Sequence, residues 1–362
     1  MALEDTGKSF VPDFQHLDDF LIGIGVMDDT DSQEMVHDIT IEELETVLKS
    51  CKNNKAPGMD GLPYEFFKTV WNIVKEDFEN VLQTQLDRGK IISSDKMGTT
   101  RLVSKVKGVP QVDELRPITL LNTDYKILSK VLVKRIRPVL PEVIKSSQLC
   151  SVGDKNILFG VNNILSCLMY VTNYKKKACL LSLHFFKAYD RVLLKYLILV
   201  MKKMNFSPTF CNWILMLHEE AETKFILDGL TTAIRVQFSI RQGDPLAMIL
   251  YIIYIEPLLM YLERNLVGLK IKDIRQKVEA YCDDVNVLTE NEADLHVVDD
   301  AVHKFEMISG AILSRRYKCK ILGLGAWKHK LNWPLDYVRV EKELKVFGIL
   351  ISDSYRSILK SN

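Results

Sequence analysis

Two adjacent carboxylates, Asp283 and Asp284, lie between two short apolar runs, Val278–Tyr281 and Val285–Leu288. Runs of that length and type predict strand, tight turn, strand. A tight turn aims both acids at one place, where like charges repel unless a cation neutralises them. Mg²⁺ takes oxygen ligands, carboxylates and phosphates foremost. Two such ions about 3.5–4 Å apart activate a hydroxyl and stabilise a leaving oxygen in phosphoryl transfer. A lone acid pair on a turn is usually a solvated surface feature, so the surrounding elements decide what this one is.

Those elements read as helices around a few short strands. Thr40 followed by Glu43 has the form of a capping box, and Ile41, Leu44, Val47 and Leu48 continue one apolar helical stripe. The Gly/Pro/Asn/Asp-dense stretch 52–63 predicts a structured loop, followed by a helix through Phe67, Val70, Trp71 and Val74. Residues 100–108 predict a strand and turn, Arg116–Ile118 an extended segment, and Tyr125–Ile136 a helix. Ala178–Leu183 is an unbroken apolar run of the kind buried within a sheet. Helices are expected over Val192–Met204, Ala247–Asn265 and Leu295–Ile308. A hairpin is expected around Gly229, from Phe225–Leu227 to Ile234–Phe238, and a strand over Lys320–Leu324. The order indicates an α+β fold, a sheet with helices on one face.

Composition sets bounds on the function. The 362 residues carry a net charge of +1, with 47% hydrophobic and 26% charged residues, an ordinary globular balance that lends no support to a strongly basic nucleic-acid binder. Seven dispersed cysteines without a CxxC pair argue against a disulfide framework and a zinc site. The polar N-terminus is not a signal peptide. The most apolar stretch, Ala247–Leu262, is interrupted by Glu256 and Pro257, so no membrane span is expected. An intracellular location follows, nucleus or cytoplasm.

Five ordered blocks then carry a resemblance: LRPITLLNTDYKILSKVLVKRI (115–136), LSLHFFKAYDRV (181–192), IRQGDPLAMILYIIYIEPL (240–258), AYCDDVNVL (280–288) and SGAILSRRYKCKILGLG (309–325). With NKAPGMDGLPYEFFK (54–68) upstream, the chain from about residue 40 onward resembles reverse transcriptases of LINE-type (non-long-terminal-repeat) retrotransposons. The resemblance implies the right-hand fold of fingers and palm, with the thumb truncated. It implies a Mg²⁺-dependent RNA-directed DNA polymerase that works on an RNA template, a DNA primer and deoxynucleoside triphosphates. Residues 1–38 are expected to be an acidic, loosely ordered lead-in, 39–177 the N-terminal extension and fingers, 178–325 the palm with part of the fingers, and 326–362 the end of the palm and the start of a missing thumb.

The resemblance also assigns roles. Asp283 matches the aspartate that binds both metals, and Asp284 its supporting neighbour. Tyr189 matches the aromatic that crowds the sugar 2′ position, and Arg241, Gln242 and Gly243 the loop that positions template and incoming base. Lys318 matches a lysine near the triphosphate, and Lys105 and Arg116 match basic fingers positions that meet its phosphates.

One departure matters most. His184 stands where the family carries the other aspartate that binds both metals. Imidazole is a poor donor for Mg²⁺, so catalysis is expected to be impaired, by roughly 10³–10⁴-fold. Asp190, beyond the gate aromatic, is not expected to replace it. Ser239, in a place where glycine is common, is a milder departure. The alternative reading is a non-catalytic relic or nucleic-acid-binding module, with Lys175–Lys177, Lys202–Lys203, Arg315, Arg316, Lys318 and Lys320 as candidate contacts.

Overall fold

The structure, a computed structural model, describes residues 10–145, 147–236 and 240–352. Ser239, the far end of the Ile234–Phe238 run and the stretch Tyr355–Asn362, where a thumb was expected to begin, lie outside the described residues. The chain divides into two compact units, each assembled from separated stretches. The first takes in Val26–Val139 and Val192–Leu250; the second takes in Ser9–Gly25, Leu140–Arg191 and Tyr251 onward. These stretches interleave along the chain.

In the first unit, four strands lie in the order Leu115–Leu120, Met97–Ser104, Glu222–Ile226, Ile234–Arg235. The two central strands run parallel, and each outer strand is antiparallel to its neighbour. Thr100 in the middle bonds through its hydroxyl to Thr119 on one side (2.9 Å) and Thr223 on the other (2.7 Å). Three buried hydroxyls are thereby satisfied across three strands, where unpaired they would cost stability. The helix Ile41–Ser50 begins at the expected capping box of Thr40 and Glu43. Its Glu43 forms a largely buried ion pair with Arg135 (2.7 Å) on the helix Thr123–Ile136.

In the second unit, five strands lie in the order Val338–Val340, Lys320–Gly325, Lys177–His184, Asp284–Thr289, Val278–Tyr281. The central strand Lys177–His184 is antiparallel to both neighbours. Ala178, Cys179, Leu180, Leu181 and Leu183 are all buried. Alternate residues point to opposite faces, so the sheet is covered on both faces, not on one. One face packs Leu180, Leu288, Leu322 and Leu324 with Val161, Ile164, Cys167 and Leu168 of the helix Ile157–Asn173.

The lead-in is more ordered than its composition implied. Leu17–Leu21 and Asp29–Glu34 are short helices. Phe20 is fully buried, stacked on Tyr261 (centroids 4.6 Å) and tilted against Phe305. An aromatic anchor of this kind contributes roughly 2–3 kcal/mol by burial alone, which outweighs the local acidity. Among the described residues, no helix is long and apolar enough to cross a membrane.

Candidate active site

The acid turn is a two-residue connection. Tyr281 and Asp284 pair across the hairpin, leaving Cys282 and Asp283 as the loop. Cys282 takes a left-handed φ of 56°, a conformation that costs a non-glycine residue roughly 1 kcal/mol or more. It is held there by Gln148, whose Oε1 accepts the Cys282 N–H at 3.0 Å. The same oxygen accepts the Cys150 N–H at 3.1 Å. Residues 147–149 run beside Val278–Tyr281 through a parallel bridge between Gln148 and Ala280. The turn is thus clamped from its flank by a segment far away in sequence.

Asp283 is exposed at the tip and Asp284 is half-buried. Asp284 Oδ1 accepts from Asn286 Nδ2 (3.1 Å), and Oδ2 accepts from the Phe347 backbone N–H (3.0 Å). Burial nevertheless raises the Asp284 pKa, with the Asp283 charge adding to the rise and the two hydrogen bonds opposing it.

His184 is the last residue of the central strand and pairs directly with Asp284. Directly opposed residues of an antiparallel pair project from the same face with Cβ atoms about 4.5–5.5 Å apart. The His184 backbone is fixed by Ser314 N–H donating to its carbonyl (2.9 Å) and by its own N–H donating to Cys319 Sγ (3.3 Å). Lys318, half-buried, follows in the same turn, its N–H donating to Ser314 O. Tyr189 stacks on Tyr251 (4.9 Å, 28°), and its hydroxyl lies 2.7 Å from Cys282 Sγ. Its phenol is held protonated by burial first and by its thiol neighbour second. Asp190 lies in the short 3₁₀ turn Ala188–Arg191 that follows the strand.

His184, Tyr189, Asp283, Asp284 and Lys318 therefore all belong to the second unit. Lys105, Arg116, Arg241, Gln242 and Gly243 all belong to the first. Lys105 and Arg116 are exposed at neighbouring positions of one β-hairpin, where Lys105 N–H donates to Glu114 O (3.0 Å) and Arg116 pairs with Val103. The loop carrying Gln242 and Gly243 docks on the same strand: Thr119 N–H donates to Gln242 O at 2.7 Å. Gly243 has φ 124°, and a Cβ there would lie 2.2 Å from Thr119 O. Only glycine permits that approach.

The Arg241 side chain turns into its own unit. It is 3% exposed and donates to the carbonyls of Lys96 (2.9 Å) and Leu217 (3.3 Å). Its guanidinium also lies over the Tyr125 ring, 4.8 Å from the centroid. The side chain is a strut that fixes the loop. Asp244 completes the strut by accepting from Tyr125 Oη and Ser129 Oγ, both at 2.5 Å. Sequence reasoning passed over Asp244, Gln148 and Asn286. An aspartate directly after an Arg-Gln-Gly turn was the one visible hint, whereas a single Gln or Asn carries no pattern.

Among the described residues, no three His, Cys, Asp or Glu side chains form a group that could hold a metal ion. Asp283 and Asp284 supply two carboxylates, and both Asp284 oxygens already accept hydrogen bonds. With His184 in the opposing position, the donor set does not fit a centre of two hard cations.

The sequence of residues 103–349 matches the family described as reverse transcriptase (RNA-dependent DNA polymerase). The chain is similar to an uncharacterized 149 kDa protein of transposon TX1 from Xenopus laevis, at 31% identity over 90% of this chain and 24% of that protein. It is also similar to a retrovirus-related Pol polyprotein from the type-1 retrotransposable element R2 of Popillia japonica, at 25% identity over 78% of this chain and 39% of that protein. A 115 kDa protein of element R1DM from Drosophila melanogaster matches at 29% identity over 31% of this chain and 11% of its own length. The chain thus spans well under half the length of these relatives. Enzymes of this family generally use divalent metal ions. The ordered blocks, the acid hairpin paired with the central strand and the match over 103–349 together place this chain in the reverse transcriptase family, among those of LINE-type retrotransposons.

Proposed function

We propose that the chain is the reverse transcriptase domain of a LINE-type retrotransposon and that its polymerase chemistry is impaired at one position. The ancestral reaction in this reading extends a DNA primer 3′-end on an RNA template from deoxynucleoside triphosphates, with Mg²⁺ as cofactor. The second unit corresponds to the palm, and the first carries the fingers contacts. The observation that carries the reading is the pairing of His184 with Asp284. The side chain at 184 leaves the sheet beside the acid turn, where an aspartate would add the missing hard donor. Tyr189 in this reading walls the sugar, Lys318 faces the triphosphate, and Lys105 and Arg116 meet its phosphates.

The test is Mg²⁺-dependent primer extension on an RNA template. The parent chain is expected to extend no faster than its Asp283→Ala variant, and His184→Asp to exceed both. Robust extension by the parent, abolished by Asp283→Ala, overturns the proposed impairment.

Nucleic-acid binding without catalysis draws less support. Arg315 is committed to Asp299 (3.0 Å) and Glu306 (2.8 Å), and Arg316 is paired with Asp336. These basic residues serve internal ion pairs, which leaves less charge for phosphates.

A further inference from the structure

We propose that Cys150 and Cys282 are a two-electron redox pair, closing to a disulfide at the base of the acid turn when a small disulfide oxidant reaches them. The backbone argues for it first. Gln148 and Ala280 form a parallel bridge, where adjacent strands are about 4.7–4.9 Å apart. Cys150 follows two residues after Gln148, and Cys282 is the first loop residue after the strand Val278–Tyr281. A disulfide spans Cα separations of about 4.4–6.8 Å. The shared acceptor is an independent constraint: the N–H groups of both cysteines converge on Gln148 Oε1, at 3.1 and 3.0 Å. Cys282 keeps 6% exposure in the turn beside the exposed Asp283, which gives an oxidant its approach. The backbone N–H groups of Cys167, Cys179 and Cys211 do not share this acceptor.

With oxidised glutathione as the oxidant, a protein thiolate attacks one sulfur of the glutathione disulfide, whose S–S bond breaks and releases one glutathione thiolate to take a proton. The second cysteine, deprotonated, attacks the mixed disulfide and releases the second glutathione. The protein loses two electrons and two protons, and the oxidant becomes two thiols. The new bond removes the Cys282 S–H, leaves its sulfur only as a weak acceptor for the Tyr189 hydroxyl, and ties the acid turn to the flanking segment. The pair needs no catalytic activity, so it stands or falls apart from the polymerase reading.

The experiment uses the full chain, folded and first reduced. It is incubated with oxidised glutathione, acid-quenched, alkylated and digested, and its peptides are mapped by mass spectrometry. The expected result is a Cys150–Cys282 linked peptide, two hydrogens lighter than the reduced pair, reversed by dithiothreitol and formed before the other cysteines react. Cys150→Ser and Cys282→Ser should each abolish it. Recovery of both cysteines alkylated, linkage of Cys282 to any other cysteine, or a lasting glutathione adduct on Cys282 with Cys150 free overturns the proposal. The mapping of the unsubstituted chain decides the matter even if a serine variant fails to fold.

Discussion

Replacing His184 by aspartate puts a third carboxylate opposite Asp284 and beside Asp283. At about 5 Å and an effective dielectric constant of about 20, two unit charges repel by about 3 kcal/mol. His184 is exposed, so solvent screening brings this to about 1–2 kcal/mol. The raised pKa of Asp284 trims it further by keeping part of that group protonated near the acid end of the range. Without a divalent cation, His184→Asp is therefore expected to be less stable than the parent, lowering the urea midpoint by about 0.5 M. A divalent cation reverses the sign. Magnesium at about ten times its dissociation constant returns about 1.4 kcal/mol to a state that binds it. The parent, with an incomplete donor set, gains much less.

The assay is urea unfolding of both chains in EDTA and in excess Mg²⁺ or Mn²⁺, read by circular dichroism and fluorescence. The signature is a crossover: the variant weaker in EDTA, and gaining more from the cation. Equal midpoints in EDTA, or an equal gain from the cation, would mean that residue 184 does not share a cation pocket with the acid turn. Primer extension then asks the separate question of chemistry, where a gain of roughly 10³–10⁴-fold is expected if the donor at 184 is the only loss.

Gly243→Ala should cost about 3 kcal/mol or more, because its Cβ would meet Thr119 O at 2.2 Å and the φ of 124° disfavours any side chain; a variant within about 0.5 kcal/mol of the parent in urea refutes the tight docking. Arg135→Ala leaves Glu43 without its partner and should cost about 3 kcal/mol, with Arg135→Ala/Glu43→Ala milder than the sum of the singles in a double-mutant cycle. Glu256 is fully buried, and burial raises its pKa from 4.5 to about 8, against the opposing Lys145 N–H and the charges of Lys145 and Lys155. Since the folded value lies above the unfolded one, its contribution is present below pH 4.5 and lost as pH climbs to about 8, by about 5 kcal/mol in all. Glu256→Gln should flatten that part of the pH profile, and a variant whose urea midpoint falls with pH as steeply as the parent's removes the assignment.

What the sequence made legible was whatever local pattern determines. The capping box of Thr40 and Glu43, the buried run Ala178–Leu183 and the acid hairpin all formed where their residues indicated. Contacts between distant segments were not legible. Nothing local in a Ser-Gln-Leu-Cys stretch says that Gln148 will clamp a turn more than a hundred residues later. Phe20 looked like part of an acidic tail because composition averages over the one residue that anchors it. The helices Ile157–Asn173 and Pro208–His218 were missed as well. The second is buried on most sides, which erases the periodicity that reveals a surface helix, and the first carries apolar Leu158, Phe159 and Met169 on its exposed side, which blurs the contrast between its faces. The inward setting of Arg241 was not legible for a related reason: arginine reads as a solvent or phosphate residue until two backbone carbonyls and an aromatic ring are brought around it.

Under the proposed reading, the setting of residue 184 lets the fold tolerate a change at that position. His184 is held in the sheet by backbone hydrogen bonds from Ser314 and to Cys319, and by strand pairing with Asp284. None of these depends on the side chain it presents. Residue 184 is exposed, so no cavity opens when its chemistry changes. By contrast, the Arg241–Asp244 strut and the Gly243 approach are structural as well as functional in position, and substitution there disturbs the sheet they brace. Removal of a carboxylate from an acid turn even relieves like-charge repulsion when no cation is bound. Under the proposed reading, loss of a carboxylate at 184 therefore carries a small gain in stability when no cation is bound, while the same stability requirement keeps the surrounding scaffold in place.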